Sequence, residues 1–292
     1  MLNNHLLKIS FLTCLALIAF AANSVLCRLA LGNETIDAAS FTVVRLLSGA
    51  LTLLLILGMK GNNKGVISKG SWAASFSLFL YAITFSYAYL SIDTGTGALI
   101  LFGSVQLTMI LLSLIAGTRL HFSEWSGVII AFMGFIYLIL PNITTPSING
   151  LILMTVSGVS WGIYTLKGRS SNNPLMDTTY NFLRTIPFVM ILAIFTMEDM
   201  SISTEGIILA LLSGGLTSGI GYTIWYIALR GLSTTQAAVV QLLVPVIAAV
   251  GGVLFVSETI TLRLVISAVI VLGGILMVIL GKYYFTRSRV NT

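Results

Sequence analysis

Two arginines lie inside apolar runs long enough to cross a membrane, and their side chains have the clearest capacity for chemistry. Arg45 lies in AASFTVVRLLSGALTLLLIL, and Arg184 lies 139 positions later in DTTYNFLRTIPFVMILAIF. An arginine side chain that faces lipid inside a membrane span costs free energy. Each arginine is therefore predicted to face protein or a wet cavity. One interpretation is contact with a carboxylate or phosphate, which guanidinium binds bidentately. The other is a structural anchor on backbone carbonyls, on helix ends or at the interface.

Aromatic and amide side chains inside other apolar runs are candidates for lining a cavity. Aromatic faces and a few oriented amide groups suit a small amphipathic ligand. For each aromatic the alternative is packing or an interfacial belt. The two glutamines are the stronger candidates, because an amide in lipid needs a partner. The candidates are Asn23, Tyr81, Gln106, Trp161, Tyr164, Tyr222, Trp225 and Gln241.

The composition places these residues in a membrane. Charged residues make up 8% of the 292-residue chain, hydrophobic residues make up 57%, and the mean hydropathy is +1.02. Soluble domains carry about 25% charged residues, so the lipid bilayer is the predicted solvent. The net charge of +6 is explained by basic cytoplasmic loops rather than by nucleic acid. No stretch is left over for a soluble catalytic domain.

The spacing of the remaining reactive residues argues against an enzyme or a metal site. His5 and His121 fall at a terminus and in a loop, while Cys14 and Cys27 lie in the first apolar run. Neither pair has metal-ligand or nucleophile spacing. We therefore predict no metal, no cofactor and no catalytic residue.

The acidic residues bear on how transport would be energised. Asp93, Asp177 and Glu258 are predicted at span ends rather than at mid-membrane. A proton-coupled carrier commonly uses a buried carboxylate, so the sequence favours uncoupled or weakly coupled movement. Coupling through a carboxylate at a span end stays open.

The elements that must position these side chains are membrane helices. A spanning helix needs about 20 apolar residues, and the chain has room for ten. Apolar runs between charged and turn residues predict spans near 7–31, 38–58, 72–91, 97–117, 124–141, 150–168, 178–197, 205–229, 236–257 and 263–284.

Charge asymmetry predicts that both termini are cytoplasmic. The span ends predicted to be cytoplasmic hold the basic residues Lys8, Lys60, Lys64, Lys69, Arg119, Lys167, Arg169, Arg230, Lys282, Arg287 and Arg289. The other span ends hold Arg28 and Arg263 with the acids Glu34, Asp37, Asp93, Glu198, Asp199, Glu205 and Glu258.

The two halves of the chain show internal similarity. Phe41 aligns with Tyr180 and Arg45 with Arg184 at an offset of 139, which slips to 140 where Ala88 meets Ala228. The predicted repeats are residues 1–145 and 146–292. Five spans is an odd number, so the second copy enters from the opposite side, as in the inverted repeats of many transporters.

Four segments resemble a known family. The runs GALILFGSVQLTMILLSLIAGTRLHFSEWSGVIIAFMGFIYLIL and QAAVVQLLVPVIAAVGGVLFVSETITLRLVISAVIVLGGILMVIL are similar to helices four and five and helices nine and ten of the EamA family, in the drug/metabolite transporter superfamily. VSGVSWGIYTLKGR and GYTIWYIALRGLSTTQAA are similar to its sixth and eighth helices. The resemblance implies export of amino acids, related metabolites or drugs from the bacterial cytoplasm.

These observations predict an all-α integral membrane protein with ten transmembrane helices in a 5+5 inverted repeat, located in the inner membrane. The predicted function is export of a small molecule, an amino acid or related metabolite, by alternating access. A multidrug or lipophilic-compound exporter is the alternative, and a membrane-embedded receptor or enzyme is a weaker one. The scarcity of buried acids argues against a dedicated cation carrier. The sequence does not specify an oligomeric state.

Overall fold

The computed structural model describes residues 2–59, 69–115, 117, 122–139, 147–169, 171–232, 237 and 240–290. These residues form ten principal helices and a short 3₁₀ turn at Met197–Asp199, and they contain no β-strand. The helices are α1 (Leu2–Gly32), α2 (Ala38–Met59), α3 (Trp72–Ala88), α4 (Thr94–Ile115), α5 (Phe122–Ile139), α6 (Ile148–Arg169), α7 (Pro174–Phe195), α8 (Thr204–Leu229), α9 (Val244–Val256) and α10 (Leu262–Val290).

The lengths and hydropathies of the helices identify a multi-pass membrane protein. Among the described residues, six helices are long and apolar enough to cross a bilayer: α1, α2, α4, α7, α8 and α10. Three others, α3, α5 and α9, have shorter apolar stretches. Helix α6 has 22 residues but is less apolar, because it carries buried serines such as Ser157 and Ser160 and ends at Lys167 and Arg169.

The turn between α3 and α4 has the predicted length but lies three residues earlier in the chain than the sequence predicts. The predicted spans ended at 91 and began again at 97, whereas α3 ends at Ala88 and α4 begins at Thr94. The physical cause is a distant carboxylate. Glu258 accepts hydrogen bonds from the backbone N–H of Thr94 at 2.9 and 3.0 Å and from its hydroxyl at 3.1 Å. A carboxylate at a helix N-terminus satisfies free N–H groups and complements the helix dipole.

Helix α8 contains a wide section that the periodicity does not reveal. The chain is α-helical over Thr204–Leu211 and Gly221–Leu229, and π-helical over Leu212–Ile220 between them. Small residues let this section approach α2 closely. A Cβ on Gly214 would overlap the Ser48 hydroxyl and the Arg45 carbonyl. The π-helical section therefore packs directly against the turn of α2 that carries Arg45.

The predicted span 236–257 is interrupted by a turn before α9. Residues 237 and 240–241 are helical, a turn follows at Leu242 and Leu243, and α9 runs from Val244 with Pro245 in its first turn. Residues 236, 238 and 239 lie outside the described part of the chain. Proline suits a first turn because its missing N–H would have no partner there. Pro187, by contrast, lies inside α7.

The main helix contacts follow a pattern that is unchanged when the first five helices are exchanged with the last five. Helix α3 packs on α6, and α1 packs on α8. Helix α4 likewise contacts α6, as α9 contacts α1. Three further packed pairs each map onto themselves in this exchange: α2 with α7, α4 with α9 and α5 with α10.

Several predicted positions fall beyond what the structure describes. Lys60, Lys64, Arg119 and His121 lie outside the described residues, as does the predicted repeat boundary at 145–146. The side chains of His5, Lys282, Arg287 and Arg289 are likewise outside the described part.

Candidate functional site

Arg45 lies at the centre of the bundle, with 1% of its surface exposed. Its Nη2 donates to the hydroxyls of Tyr81 at 2.9 Å and Tyr222 at 3.3 Å, and its Nε donates to Ser218 Oγ at 3.3 Å. The guanidinium carbon also lies 5.1 Å from the ring centroid of Tyr81 and 5.0 Å from that of Phe85. Helices α2, α3 and α8 thus meet at one buried cation.

Asn23 on α1 extends this polar network. Its Nδ2 donates to the Tyr81 hydroxyl at 3.2 Å. Its Oδ1 accepts from Ser213 at 2.7 Å and from Thr217 at 3.2 Å, both on α8. The amide is 3% exposed, so its hydrogen bonds are made to protein, as a buried amide requires.

Aromatic rings cover the polar network on its α1 and α6 side. The Trp161 ring on α6 lies 4.9 Å from that of Tyr81 and 4.7 Å from that of Tyr222. Phe20 on α1 packs edge-on against Trp161 at 6.0 Å and Tyr222 at 5.9 Å. These separations are within the range in which aromatic pairs attract.

A small cavity lies between the polar network and the aromatic rings. Its space accommodates about one water molecule. The cavity is lined by Phe20, Asn23, Tyr81, Phe85, Leu101, Phe102, Trp161 and Tyr222. In this conformation the site is closed around a volume smaller than a metabolite.

Two further candidates, Tyr164 and Trp225, adjoin this cluster. The Tyr164 ring lies 5.4 Å from that of Trp161, and the Trp225 ring lies 5.6 Å from that of Phe20. Within the described structure, Trp225 Nε1 is buried and has no hydrogen-bond partner. Six of the eight sequence-predicted cavity residues are therefore brought together around Phe20 and Arg45.

The two glutamines lie together. Gln106 Nε2 on α4 donates to Oε1 of Gln241 at 3.4 Å, and both side chains are buried. Gln241 directly precedes the turn at Leu242 and Leu243. Each amide thus supplies a partner for the other, and the pair joins α4 to the segment before α9.

Arg184 lies in a different environment from Arg45. Its guanidinium donates to the backbone carbonyl of Lys69, and it lies 5.7 Å from the Trp72 ring centroid. The side chain is partly exposed. Nearby on α7, Asn181 accepts from the Ser71 N–H at 3.0 Å and Asp177 accepts from the Gly70 N–H at 2.8 Å. These contacts hold the start of α3 against α7, outside the Arg45 cluster.

Sequence reasoning missed several members of the site. Phe20, Phe85 and Phe102 line the cavity, but phenylalanine in an apolar run gives no signal of its own. Ser213, Thr217 and Ser218 bond to Asn23 or Arg45. Their spacing at i, i+4 and i+5 places them on one side of α8, a pattern that could have indicated a polar face.

The opposite end of the bundle, here called the Glu258 end, is closed by an ion-pair network. Arg28 Nε lies 3.2 Å from Glu258 Oε1, and Arg28 Nη1 donates to the Tyr89 carbonyl at 2.8 Å. Arg28 Nη2 lies 3.7 Å from Asp93. Glu258 also accepts from Thr94, so α1, the α3–α4 turn and the α9–α10 loop are joined by one carboxylate.

A second contact at the Glu258 end joins the α1–α2 loop to the segment before α8. Ile36 and Ile202 form an isolated antiparallel bridge. The Asp37 N–H donates to the Ser201 carbonyl at 2.9 Å, and the Ser203 N–H donates to the Thr35 carbonyl at 2.9 Å.

A polar and aromatic site enclosed by apolar, membrane-length helices defines a multi-pass membrane protein with a buried polar centre. Among the described residues, no group of histidine, cysteine, aspartate or glutamate could hold a metal ion. The chain belongs to the EamA-like transporter family, whose family model matches residues 7–140 and again residues 148–280.

Relatives of known sequence agree with this membership. An uncharacterized protein of Pseudomonas aeruginosa is 45% identical over 92% of this chain and 93% of its own length. A protein of Bacillus subtilis named as an uncharacterized transporter is 21% identical over 89% of this chain and 92% of its own. A probable amino-acid metabolite efflux pump of Salmonella typhimurium is 24% identical over 82% of this chain and 81% of its own. The protein is a membrane transporter and not an enzyme.

A solved crystal structure shares the fold. It superposes with a TM-score of 0.61 at 16% identity, over 90% of this chain and 95% of that chain. The fold is therefore shared with a protein of very different sequence.

Proposed function

We propose that the protein exports a small metabolite by alternating access, through ten membrane spans arranged as two inverted repeats. The observation that carries this proposal is the Arg45 cluster, in which helices of both halves enclose one small cavity. Tyr81 and Asn23 come from the first half, whereas Trp161 and Tyr222 come from the second. A site at the junction of two repeats is where transporters of this kind bind their substrates.

The packing pattern supports the inverted repeat. Among the described residues, the main packed helix pairs have counterparts under exchange of the halves, whereas the smaller contacts of α4 with α1 and α10 do not. The main contacts of each half therefore have equivalents in the other half. The two matches of the family model divide the chain at the same place. Odd-numbered repeats of five spans enter the membrane from opposite sides, and this inversion lets a central site open to either face.

Contacts between the halves at both ends of the bundle support an occluded state. At the Glu258 end, Arg28 pairs with Glu258 and the Asp37 N–H donates to the Ser201 carbonyl. At the other end, here called the Asp177 end, Asp177 accepts from the Gly70 N–H. Breaking one set while keeping the other would open the cavity to one side, which is the motion that alternating access requires.

Export is the proposed direction, and a cytoplasmic Asp177 end is the proposed orientation. The basic residues predicted inside include Lys69 and Arg230, which lie at the Asp177 end, while the acids Asp93 and Glu258 meet at the other. This separation matches the positive-inside distribution. The relatives named as probable amino-acid metabolite efflux pumps favour export of amino acids or related metabolites.

Counterflow in proteoliposomes tests the proposal. Vesicles loaded with unlabelled compound should accumulate the labelled compound when it is a substrate, across a panel of amino acids, nucleosides and lipophilic cations. Trp161→Ala should raise the apparent KM at least about tenfold. Stacking of the Trp161 ring on the substrate contributes about 1.4 kcal/mol, which corresponds to a factor of ten in affinity. Trp125→Ala is the matched control, since Trp125 is about half exposed on α5.

The panel also separates the rival functions. Counterflow confined to lipophilic cations would replace the metabolite exporter with a drug exporter. Saturable binding of a panel member without flux would indicate a receptor and would contradict transport.

A further inference from the structure

We infer that Arg45 is the binding site for the carboxylate of a substrate that carries a net charge of −1, and that this substrate leaves the cell down the electrical potential. This inference rests on the proposed transport function and names the chemical class of the cargo. The structural basis is a buried cation that has an unused donor and no acidic partner.

All nine acidic residues of the chain are described in the structure, and Arg45 forms an ion pair with none of them. Arg28 offers a contrast, because it pairs with both Glu258 and Asp93. A buried charge is costly unless it is paired. Arg45 therefore keeps its positive charge in the interior with only hydroxyls and ring faces around it.

Donors outnumber acceptors around Arg45. Its Nη1 is buried and, within the described structure, has no hydrogen-bond partner. Arg45, Asn23 and Tyr222 all direct donors at the Tyr81 hydroxyl, which has two lone pairs and cannot accept all three. Because two hydroxyls can share only one of their protons with each other, the remaining tyrosine proton has no acceptor among the described residues. An oxyanion supplies the acceptors that this arrangement lacks.

The surroundings favour a single negative charge attached to an apolar or aromatic body. One cation balances one carboxylate, whereas a dianion would leave half its charge uncompensated. None of the acidic residues hydrogen-bonds to Asn23, Tyr81 or Tyr222. An ammonium group would therefore place a second positive charge beside Arg45. The rings of Phe20, Phe102 and Trp161 fit the apolar part.

This charge assignment provides a driving force. A monoanion is expelled by an inside-negative potential without a proton, and a potential of about 59 mV balances a tenfold higher concentration of the anion outside than inside. Export of an anion therefore needs no buried acid to carry a coupling ion.

The test compares three compounds with one side chain: N-acetyl-L-phenylalanine, its neutral amide and zwitterionic L-phenylalanine. Binding is measured by calorimetry in lipid nanodiscs, and efflux is measured from proteoliposomes with a potassium diffusion potential. The acid should bind about ten- to a hundredfold more tightly than the amide, as charge-assisted hydrogen bonds imply. Its protein-dependent efflux should be faster with the inside negative than with the inside positive.

The variants locate the effect. Arg45→Gln should abolish the preference for the acid, and Arg45→Lys should retain part of it, since lysine keeps the charge without the bidentate geometry. Arg184→Gln, the matched control, should leave the preference intact. Equal binding of acid and amide, no binding of the acid, preference for the zwitterion, or preference retained in Arg45→Gln would each overturn the inference. Binding of the acid without flux would contradict transport while supporting the site.

Discussion

The hydroxyl oxygens of Tyr81 and Tyr222 lie 3.4 Å apart and both accept from Nη2 of Arg45. Tyr81 belongs to α3 and Tyr222 to α8, the third helix of each half. One guanidinium nitrogen thus links the two halves through a pair of phenols. Removing either hydroxyl therefore changes the hydrogen bonding of the other hydroxyl and of the Arg45 guanidinium.

Tyr81→Phe and Tyr222→Phe should each lower the free energy of unfolding by about 1–3 kcal/mol, because each leaves a buried donor of Arg45 without its acceptor. The double variant should deviate from additivity by about 0.5–3 kcal/mol. Unfolding in mixed micelles measures all three. Tyr180→Phe is the control, since Tyr180 is partly buried on α7 and its hydroxyl makes no hydrogen bond in the described part of the chain. Strict additivity would show that the two hydroxyls act independently.

Gly214→Ala should destabilise the protein and impair transport. The added methyl group would overlap the Ser48 hydroxyl and the Arg45 carbonyl, so α8 must move away from α2. Overpacking of this kind costs about 1–3 kcal/mol, which thermal unfolding in detergent would register.

Gly273→Ala on α10 is the matched control for this change, because a Cβ there meets no described atom within 4 Å. It should be neutral or stabilising by up to about 1 kcal/mol, as expected for alanine in place of glycine in a helix. Equal effects of the two substitutions would show that close approach of α8 to α2 is unimportant.

Glu258→Gln should loosen the Glu258 end of the bundle. Losing about 1–2 kcal/mol from its charge-assisted bonds would raise the open population roughly 5–30-fold. Cys27 reports this opening, because it is buried next to Arg28. In a Cys14→Ser background, a membrane-impermeant maleimide should modify Cys27 faster by a comparable factor.

Glu205→Gln supplies the comparison for the labelling experiment, because Glu205 is an exposed acid at the start of α8. In the Glu205→Gln variant, Cys27 should be labelled at the same rate as in the Cys14→Ser parent protein. If Glu258→Gln labels no faster than Glu205→Gln, the ion-pair network does not hold this end closed.

A proton gradient alone should not drive concentrative flux. No acidic residue makes a hydrogen bond or ion pair with Arg45, Asn23, Tyr81 or Tyr222 in the described structure. The measurement is accumulation of a counterflow substrate in proteoliposomes with a pH step and the potential clamped at zero. Accumulation that a protonophore abolishes would contradict the prediction and would direct attention to Asp177 or Glu258.

The site residues that the sequence alone identified are polar residues that lie within apolar runs. Asn23 and Arg45 interrupt apolar runs, and the cost of burying them without partners makes a shared network the natural expectation. Apolar periodicity likewise gave the helices to within a few residues at most boundaries. The all-helical membrane fold follows from these local signals, whereas the family was indicated by the resemblance of four longer segments to known helices.

Other features depend on relationships that one-dimensional patterns do not carry. Glu258 caps Thr94 across 164 positions of the chain, so the boundary of α4 is set from the other half. Arg184 matches Arg45 by offset, yet it bonds to the Lys69 carbonyl and does not line the cavity. Matching positions in the two proposed repeats therefore do not have matching surroundings.

The offset between the halves is 139 at Arg184 and 140 at Ala228, and the interval between these residues contains the π-helical section of α8. A turn closed by i→i+5 bonds holds one residue more than an α-helical turn. The described residues of α3, by contrast, are α-helical throughout. The proposed halves are therefore imperfect copies, and exchanging their conformations does not return the same molecule. The two open forms of the proposed carrier are therefore not related by symmetry, so the fold does not require them to have equal free energies.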